Sequence, residues 1–247
     1  MHAEQVENAT MGGTTVKRRF DEDGFVLIEG FFDPALMRRL DRAILGHYGE
    51  APADWHEDQF ISLSQTDVVP WFPQREAGPD PVFAEIADDS RLAALTQTLL
   101  GDGWSALDAM AMFSRKGSPG QAWHQDCPPE DVRFNLNRLV YAVRIEPAIG
   151  GSLILMPGSH RRGTLSAGLP HEDLPGQIEL RPSAGDLVLL HGHCWHRVLP
   201  VHGGHRHSIN YRAAAKGTPL NVTDVCVYRN MRYRFSTAEV IEERSPA

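Results

Sequence analysis

The stretch from Gly185 to Arg212, GDLVLLHGHCWHRVLPVHGGHRHSINYR, carries two short apolar runs, Asp186 to His191 and Arg206 to Arg212, with Pro200 and Gly203-Gly204 between them. Neither run is long enough for a stable helix, and both are bounded by turn residues, so both are predicted to be strands. Five further runs of the same kind are Ala106 to Arg115, Arg138 to Ile145, Ser152 to Met156, Ile178 to Arg181 and Val222 to Tyr228. Turns are explicit at Gly150-Gly151 and Pro157-Gly158-Ser159. Many short strands separated by Gly and Pro turns close on themselves as a sandwich or barrel. The expected fold is therefore mainly β, a jelly roll with flanking N-terminal helices.

Working towards the N-terminus, the Pro-rich stretch from Val69 to Pro81 divides this strand-rich part from a helical prologue. Asp33 as N-cap and Pro34 at the first helical position precede Leu36, Met37, Leu40, Ile44 and Leu45, and Gly46 is the expected stop. A second helix is predicted from Ser90 to Leu100, with Leu92, Leu95 and Leu99 on one stripe and Gly101 as terminator, and a strand from Phe25 to Glu29. The domain reading is a mobile segment over 1–16, one domain over 17–235 (prologue to about 100, β core about 105–230), and a mobile tail over 236–247.

Composition narrows the function classes. Twenty-four Lys and Arg against thirty-two Asp and Glu give a net charge of -8 over 247 residues, 42% of them apolar. No continuous basic face is available to neutralise phosphates, so no nucleic-acid partner is expected. No run of about 18 apolar residues and no apolar leader appear, so no membrane partner is expected and the default compartment is the cytoplasm. Cys127, Cys194 and Cys226 are odd in number and widely spaced, which argues for reduced thiols rather than a disulfide framework.

The chemistry-bearing pattern is His-x-Asp. On extended chain, residues two apart share a face, so an imidazole and a carboxylate become one half of a metal clamp. A second imidazole completes the two-His-one-carboxylate triad, which leaves iron(II) positions open for a co-substrate and oxygen. Three such pairs occur: His56/Asp58, His124/Asp126 and His171/Asp173. His171/Asp173 sits in the proline-flanked loop LPHEDLPG, and His56/Asp58 precedes every barrel strand. His124/Asp126 follows a long strand and the turn Gly117-Ser118-Pro119-Gly120, where its side chains are placed to enter a barrel mouth; Trp123 and Gln125 then face the other way.

The second imidazole comes from a crowd: His191, His193, His196, His202, His205 and His207. If Asp186 to His191 is a wall strand, the turn after it carries His196. The next strand opens Arg206-His207-Ser208, whose guanidinium and hydroxyl share a face suited to holding a carboxylate. A metal-chelating 2-oxo acid needs such a partner, since its far carboxylate would otherwise be desolvated and unpaired at a cost of several kcal/mol. The spacing fits 2-oxoglutarate.

These blocks together resemble the phytanoyl-CoA dioxygenase family of iron(II)- and 2-oxoglutarate-dependent oxygenases. The resemblance runs from about Phe20 to Tyr211, through FDEDGFVLIEGFFDPALMRRL, WHQD (Trp123 to Asp126), GGSLILMPGSHRRG (Gly150 to Gly163), GDLVLLHGHCWH (Gly185 to His196) and RHSINY (Arg206 to Tyr211). It implies a cupin-like double-stranded β-helix, with iron ligands His124, Asp126 and His196, and with Arg206 anchoring the 2-oxoglutarate tail. Ser208 as second partner of that carboxylate rests on the strand argument alone. The chain departs from relatives at Val198, where many carry serine, and near Val140 and Tyr141, where a Trp is often found.

Relatives that halogenate have a small residue at the carboxylate position; this chain keeps Asp126, so hydroxylation of an unactivated C–H of a small molecule is the expected activity, with O2 consumed and succinate and carbon dioxide released. Desaturation, cyclisation and epimerisation use the same oxidising chemistry and stay open. Other readings are a zinc hydrolase or structural zinc site with Cys127 and Cys194 beside His124 and His196, and a ligand-binding barrel without catalysis. Trp55, Trp71, Phe72 and Trp104 are candidates to close the pocket, and the loops Ser62 to Ala77 and Leu165 to Gln177 to select substrate. The expected assembly is a monomer or homodimer.

Overall fold

The structure, a computed structural model, describes residues 6–8, 13–49, 58–235 and 239–244. The prologue runs β1 (Val6–Asn8), α1 (Gly13–Asp23), β2 (Phe25–Glu29), α2 (Pro34–Tyr48), α3 (Asp58–Ser64), β3 (Val69–Trp71), α4 (Pro81–Ala87) and α5 (Ser90–Leu100). The β core follows with β4 (Ser105–Ser114), β5 (Gln121–Gln125), β6 (Asn135–Val140), β7 (Leu153–Leu155), β8 (Ile178–Leu180), β9 (Leu187–His191), β10 (His196–Val198), β11 (Arg206–Ala214), β12 (Val225–Tyr228), β13 (Met231–Arg234) and β14 (Glu239–Glu243). Among the described residues these strands form two seven-stranded sheets. One has the order β1-β2-β9-β6-β11-β4-β3 and the other β14-β13-β12-β5-β10-β7-β8. In the middle of each sheet, neighbours such as β2 and β9, β11 and β4, and β12 and β5 are far apart in sequence, as a jelly roll requires.

The helices cover the outer face of the first sheet. Met37, Leu40 and Ile44 of α2, Ile86 of α4 and Leu92 of α5 pack with Ile28, Leu189, Ile209 and Phe113, which point outward from their strands. The inward residues of the same strands, Leu27, Val188, Leu139 and Met112, meet Leu153, Leu155 and Val198 of the second sheet. Covered on both faces, β6 is buried at every position, so its sequence NLNRLV shows no clean alternation of polar and apolar. Its inward positions carry Asn135, Asn137 and Leu139. That is the first hint that polar chemistry enters the barrel.

Several boundaries depart from the sequence reading. α2 continues past Gly46 to Tyr48 and ends at Gly49, whose φ of 64° suits glycine. The extra turn is held because Tyr48 is buried and its hydroxyl donates to the Val69 carbonyl at 2.7 Å. Its start is as read, with Asp33 accepting from the Ala35 amide, a cap worth about 1 kcal/mol. α1 begins at Gly13, inside the segment expected to be mobile. Val16 and Phe20 are buried from it, and Lys17–Asp21 and Arg18–Glu22 pair four residues apart at 2.9 and 2.8 Å. β1 and β14 likewise pair with their neighbours within segments expected to be loose. The strand expected over Arg138 to Ile145 is Asn135–Val140, and the expected turn at His196 is the short strand β10.

Candidate metal centre and co-substrate pocket

β5 and β10 are antiparallel neighbours, and His196 is the register partner of His124. Both side chains point into the barrel, where their rings lie 4.0 Å apart. Asp126 leaves the end of β5, its backbone amide donating to the Gly192 carbonyl at 2.9 Å. Gly192 must be small there, because a Cβ would lie 2.0 Å from Asn135 Oδ1. One ligand atom from each of His124, Asp126 and His196 falls within 4.8 Å of the other two, and all three residues are buried.

Each ring is oriented by its own backbone. His124 Nδ1 donates to the Ala122 carbonyl at 2.8 Å and His196 Nδ1 to the Cys194 carbonyl at 2.9 Å. With a carbonyl as the only partner type, Nδ1 carries the proton and Nε2 offers its lone pair to the centre. The two Nε2 atoms lie 3.7 and 3.8 Å from Asp126 Oδ1. Burial, then the neighbouring His196 charge, push the His124 imidazole down to about 3, so it stays neutral as a metal ligand must. Burial alone would raise Asp126, but His196, Arg212, His124 and the Asn137 amide together hold it below the ordinary carboxylate range.

The other carboxylate oxygen belongs to an amide network. Asp126 Oδ2 accepts from Asn137 Nδ2 at 2.5 Å, and Asn137 Oδ1 accepts from both Asn135 Nδ2 (2.9 Å) and Asn210 Nδ2 (2.8 Å). The sequence reading did not single out these asparagines. The signal was present in the two-residue spacing of Asn135 and Asn137 and in the Arg206, Ser208, Asn210, Arg212 face of β11, but their depth required the fold.

A cavity of about 540 Å³ opens from this centre and is lined by Arg206, Val198, Leu153, Asn210 and Arg212, among others. Arg206 is buried, with its Nη2 3.5 Å from the Tyr141 hydroxyl, while its Nε and Nη1 have no partner. Gly151 lies against its stem: a Cβ there would stand 3.1 Å from Arg206 Cγ and Cδ. Ser208 shares the face of Arg206 and its Oγ is also without a partner, but it does not line the cavity. Val140 faces the outer core and Tyr141 the inner one, under the Arg206 guanidinium.

The remaining candidates separate cleanly. His171 and Asp173 are engaged elsewhere, with the Gln65 carbonyl and with Arg197, and His56 and Trp55 lie outside the described residues. His191 stacks on Phe134 with ring centroids 3.6 Å apart, His193 stands beside His191, His202 lies against the Pro147 carbonyl, His205 stacks on Phe113, and His207 meets Asp41 at 2.9 Å. Cys127 and Cys194 are buried thiols outside the three-residue cluster, which leaves the zinc reading without its sulfur ligands. Trp123 packs on the outer face of the second sheet and Gln125 bonds loop carbonyls, as expected. Phe72 lines the cavity, whereas Trp71 stacks on His47 and Trp104 lies beside Arg138. The segment Ser62 to Ala77 supplies Thr66, Val68, Pro70, Phe72 and Arg75 to the lining; Leu165 to Gln177 supplies none.

The donor set fits iron: two neutral imidazole nitrogens and one carboxylate oxygen, oriented from behind, with one side open to a cavity. The two unpartnered nitrogens of Arg206 fit a carboxylate arriving from that cavity.

The phytanoyl-CoA dioxygenase (PhyH) family model matches residues 20–208. A dioxygenase of Aspergillus hancockii, hkm4, is 25% identical over 209 residues, covering 77% of this chain and 67% of that protein. The ectoine dioxygenase of Sphingopyxis alaskensis is 27% identical over 169 residues, 65% of this chain, and the match spans about half (54%) of its length. Among solved structures, HygX of Streptomyces hygroscopicus with nickel and 2-oxoglutarate bound superposes with a TM-score of 0.63 at 18% identity, covering 82% of this chain and 87% of that one. The 2-oxoglutarate-dependent epimerase SnoN from nogalamycin biosynthesis superposes with a TM-score of 0.61 at 20% identity, covering 88% and 83%. At that identity the likeness is one of fold, and it places the chain among jelly rolls of this type. The chain belongs to the phytanoyl-CoA dioxygenase family, and with it to the iron(II)- and 2-oxoglutarate-dependent dioxygenases.

Proposed function

We propose that His124, Asp126 and His196 hold a ferrous ion, that Arg206 anchors the far carboxylate of 2-oxoglutarate, and that the chain hydroxylates an unactivated C–H of a small molecule. The observation that carries this reading is the convergence of three buried ligand atoms within 4.8 Å beside a cavity also lined by Arg206, two of whose guanidinium nitrogens have no partner. When bound, iron and 2-oxoglutarate supply the oxidising power: one O2 is split between the substrate, which gains a hydroxyl, and 2-oxoglutarate, which becomes succinate and carbon dioxide.

The protein's own part is orientation and exclusion of water. The Ala122 and Cys194 carbonyls fix the imidazoles, Asn137 fixes the carboxylate, and the surrounding Leu139, Leu153, Leu190 and Val198 keep the centre dry. Ser208 belongs to the proposal only as support behind Arg206. A carboxylate at position 126 fills the place that a halide would need, which favours hydroxylation over halogenation. Three unpaired buried cysteines support a reducing, cytoplasmic setting. No helix among the described residues is long and apolar enough to cross a membrane. The proposed partner is a small-molecule substrate, taken by a monomer or homodimer.

The test is stoichiometric. Purified protein loaded with iron(II) is expected to convert 2-oxoglutarate to succinate in an oxygen-dependent manner, and chelation of the metal is expected to stop it. Binding of 2-oxoglutarate without any turnover, over a broad substrate panel, would instead identify a ligand-binding barrel.

A further inference from the structure

The segment 163–173 has no regular secondary structure and lines no part of the cavity, yet it is bound to the outer face of the second sheet almost residue by residue. Backbone carbonyls in such a segment need donors from elsewhere. Gln125 Nε2 donates to the Gly163 carbonyl at 3.2 Å, while its Oε1 accepts from the Leu165 amide at 2.7 Å. Arg229 donates through Nε, Nη2 and Nη1 to the carbonyls of Ser166, Ala167 and Leu169 at 3.2, 3.1 and 3.2 Å, and to the Glu172 carboxylate at 2.8 Å. The Trp123 amide donates to the Pro170 carbonyl at 3.0 Å, and its indole Nε1 to the Glu172 carbonyl at 2.7 Å. Arg197 completes the set, with Nη1 on the His171 carbonyl and Nη2 on the Asp173 carboxylate. The closest approach is at Gly168, where a Cβ would stand 1.8 Å from Arg229 Nη2.

These donors occupy particular places. Trp123 and Gln125 flank His124, Gln125 directly precedes Asp126, Arg197 directly follows His196, and Arg229 follows Tyr228, whose ring stacks on His124. All four donors are buried. Side chains alternate across a strand, so each donor holds from outside a stretch of backbone that carries an inward ligand or its neighbour. The main-chain ladder is irregular at the same place: the β5–β10 register slips between the His196–His124 and Val198–Gln121 pairs, and Asp126 lies beyond the end of β5. Main-chain pairing alone therefore leaves the spacing of the three ligands loosely set, and the segment ties their backbones together across the back. His171 extends the tie to the cavity wall. Its Nε2 donates to the Gln65 carbonyl at 2.9 Å, and the next residue, Thr66, lines the cavity and accepts at 3.1 Å from the amide of Ala122, whose carbonyl orients His124.

Resting on the reading of His124, Asp126 and His196 as metal ligands, we propose that the segment 163–173 is a strap that positions the metal centre from behind, with Trp123, Gln125, Arg197 and Arg229 as its positioning residues. It sets how the two imidazoles and the carboxylate stand to one another, in place of the substrate selection expected for this loop from the sequence.

The test is nickel binding by calorimetry on the full chain, together with the visible absorption of the cobalt(II)-loaded protein, whose ligand-field bands report the geometry of the ligands. Arg229→Met and Arg197→Met are expected to weaken nickel binding about tenfold or more, the effect typical of partners that orient metal ligands, and to shift the cobalt bands. Gly168→Ala should do the same from the side of the strap, with every donor still in place. Trp123→Phe removes one hydrogen bond and keeps a ring; it should give a smaller loss in the same direction, and it serves should an arginine variant fail to fold. The control is Asp33→Ala, which removes the α2 cap: a lower urea midpoint is expected, with nickel affinity and cobalt bands at wild type. Wild-type affinity and bands in folded Arg229→Met, or in Gly168→Ala and Trp123→Phe where it does not fold, would overturn the proposal. So would losses matched by Asp33→Ala, which would make them a consequence of stability alone. His124→Ala separates the two readings. Nickel binding that survives in it sinks the ligand assignment and the strap with it, whereas binding lost in it and unchanged in the strap variants sinks the strap alone.

Discussion

His124 and His196 face each other across the β5–β10 pair as register partners, and their Nε2 atoms stand almost equidistant, at 3.7 and 3.8 Å, from the same oxygen of Asp126. Two adjacent strands thus present both imidazoles from one wall. The acid arrives from the chain that leaves it.

Replacing any one of the three should empty the centre. His124→Ala, Asp126→Ala and His196→Ala are each expected to lose stoichiometric iron and succinate formation while keeping a wild-type circular dichroism spectrum. Elemental analysis of the purified variants reads the first, and a variant that keeps both iron and full turnover would remove its residue from the ligand set.

Arg206 should act on the co-substrate and not on the metal. Truncating one partner of a buried charge pair costs about 2–5 kcal/mol, so Arg206→Met is expected to raise the 2-oxoglutarate KM by about a hundredfold with little change in the iron requirement. Parallel titrations of both would show equal shifts if Arg206 merely supported the fold.

Asn137 holds the oxygen of Asp126 that faces away from the imidazoles. Outer partners of metal ligands are typically worth 10–100-fold in affinity or activity. Asn137→Leu should weaken metal binding by about that factor in competition with a chelator. Gly192→Ala should do so by another route, since its Cβ would run into Asn135, the neighbour of Asn137 in the network. Unchanged metal affinity in both would leave the amide network without a role at the centre.

Acid sensitivity should arise at two places, at buried His124 in the centre and at His191 away from it. His191 sits against Phe20, Phe134, His160 and His193, and burial, then the charges of His193 and His160, push it down to about 2. A histidine whose folded pKa lies below its unfolded one binds its proton more readily when unfolded. Its contribution to stability is therefore complete above about pH 6.5 and is lost progressively as the pH falls toward 2. Near pH 5 the loss from this residue is on the order of 1–2 kcal/mol. Urea unfolding from pH 7.5 to 5 should show a shallower decline in His191→Phe than in the wild type; identical slopes would place the sensitivity elsewhere.

Much of this was legible in the chain. β2 and α5 fall where the pattern of apolar residues and caps put them, because their signals are local. His-x-Asp on extended chain gave the first half of the centre for the same reason: two-residue periodicity places both side chains on one face. Short β10 and the amide network were not legible, since three residues next to a turn carry no periodic signal and buried asparagines read like loop residues.

The order of the chemical groups along the chain, and the strand parity that puts Arg206, Asn210 and Arg212 on one face, were determined by sequence alone. Which of six histidines stands beside His124 and Asp126 was decided by the fold, through the pairing of β10 with β5. Tertiary structure also decided that Ser208 stops short of the cavity and that Arg212 reaches it. A face is a property of one strand and follows from backbone geometry. Depth, and the satisfaction of buried polar groups, depend on what the rest of the molecule packs around it.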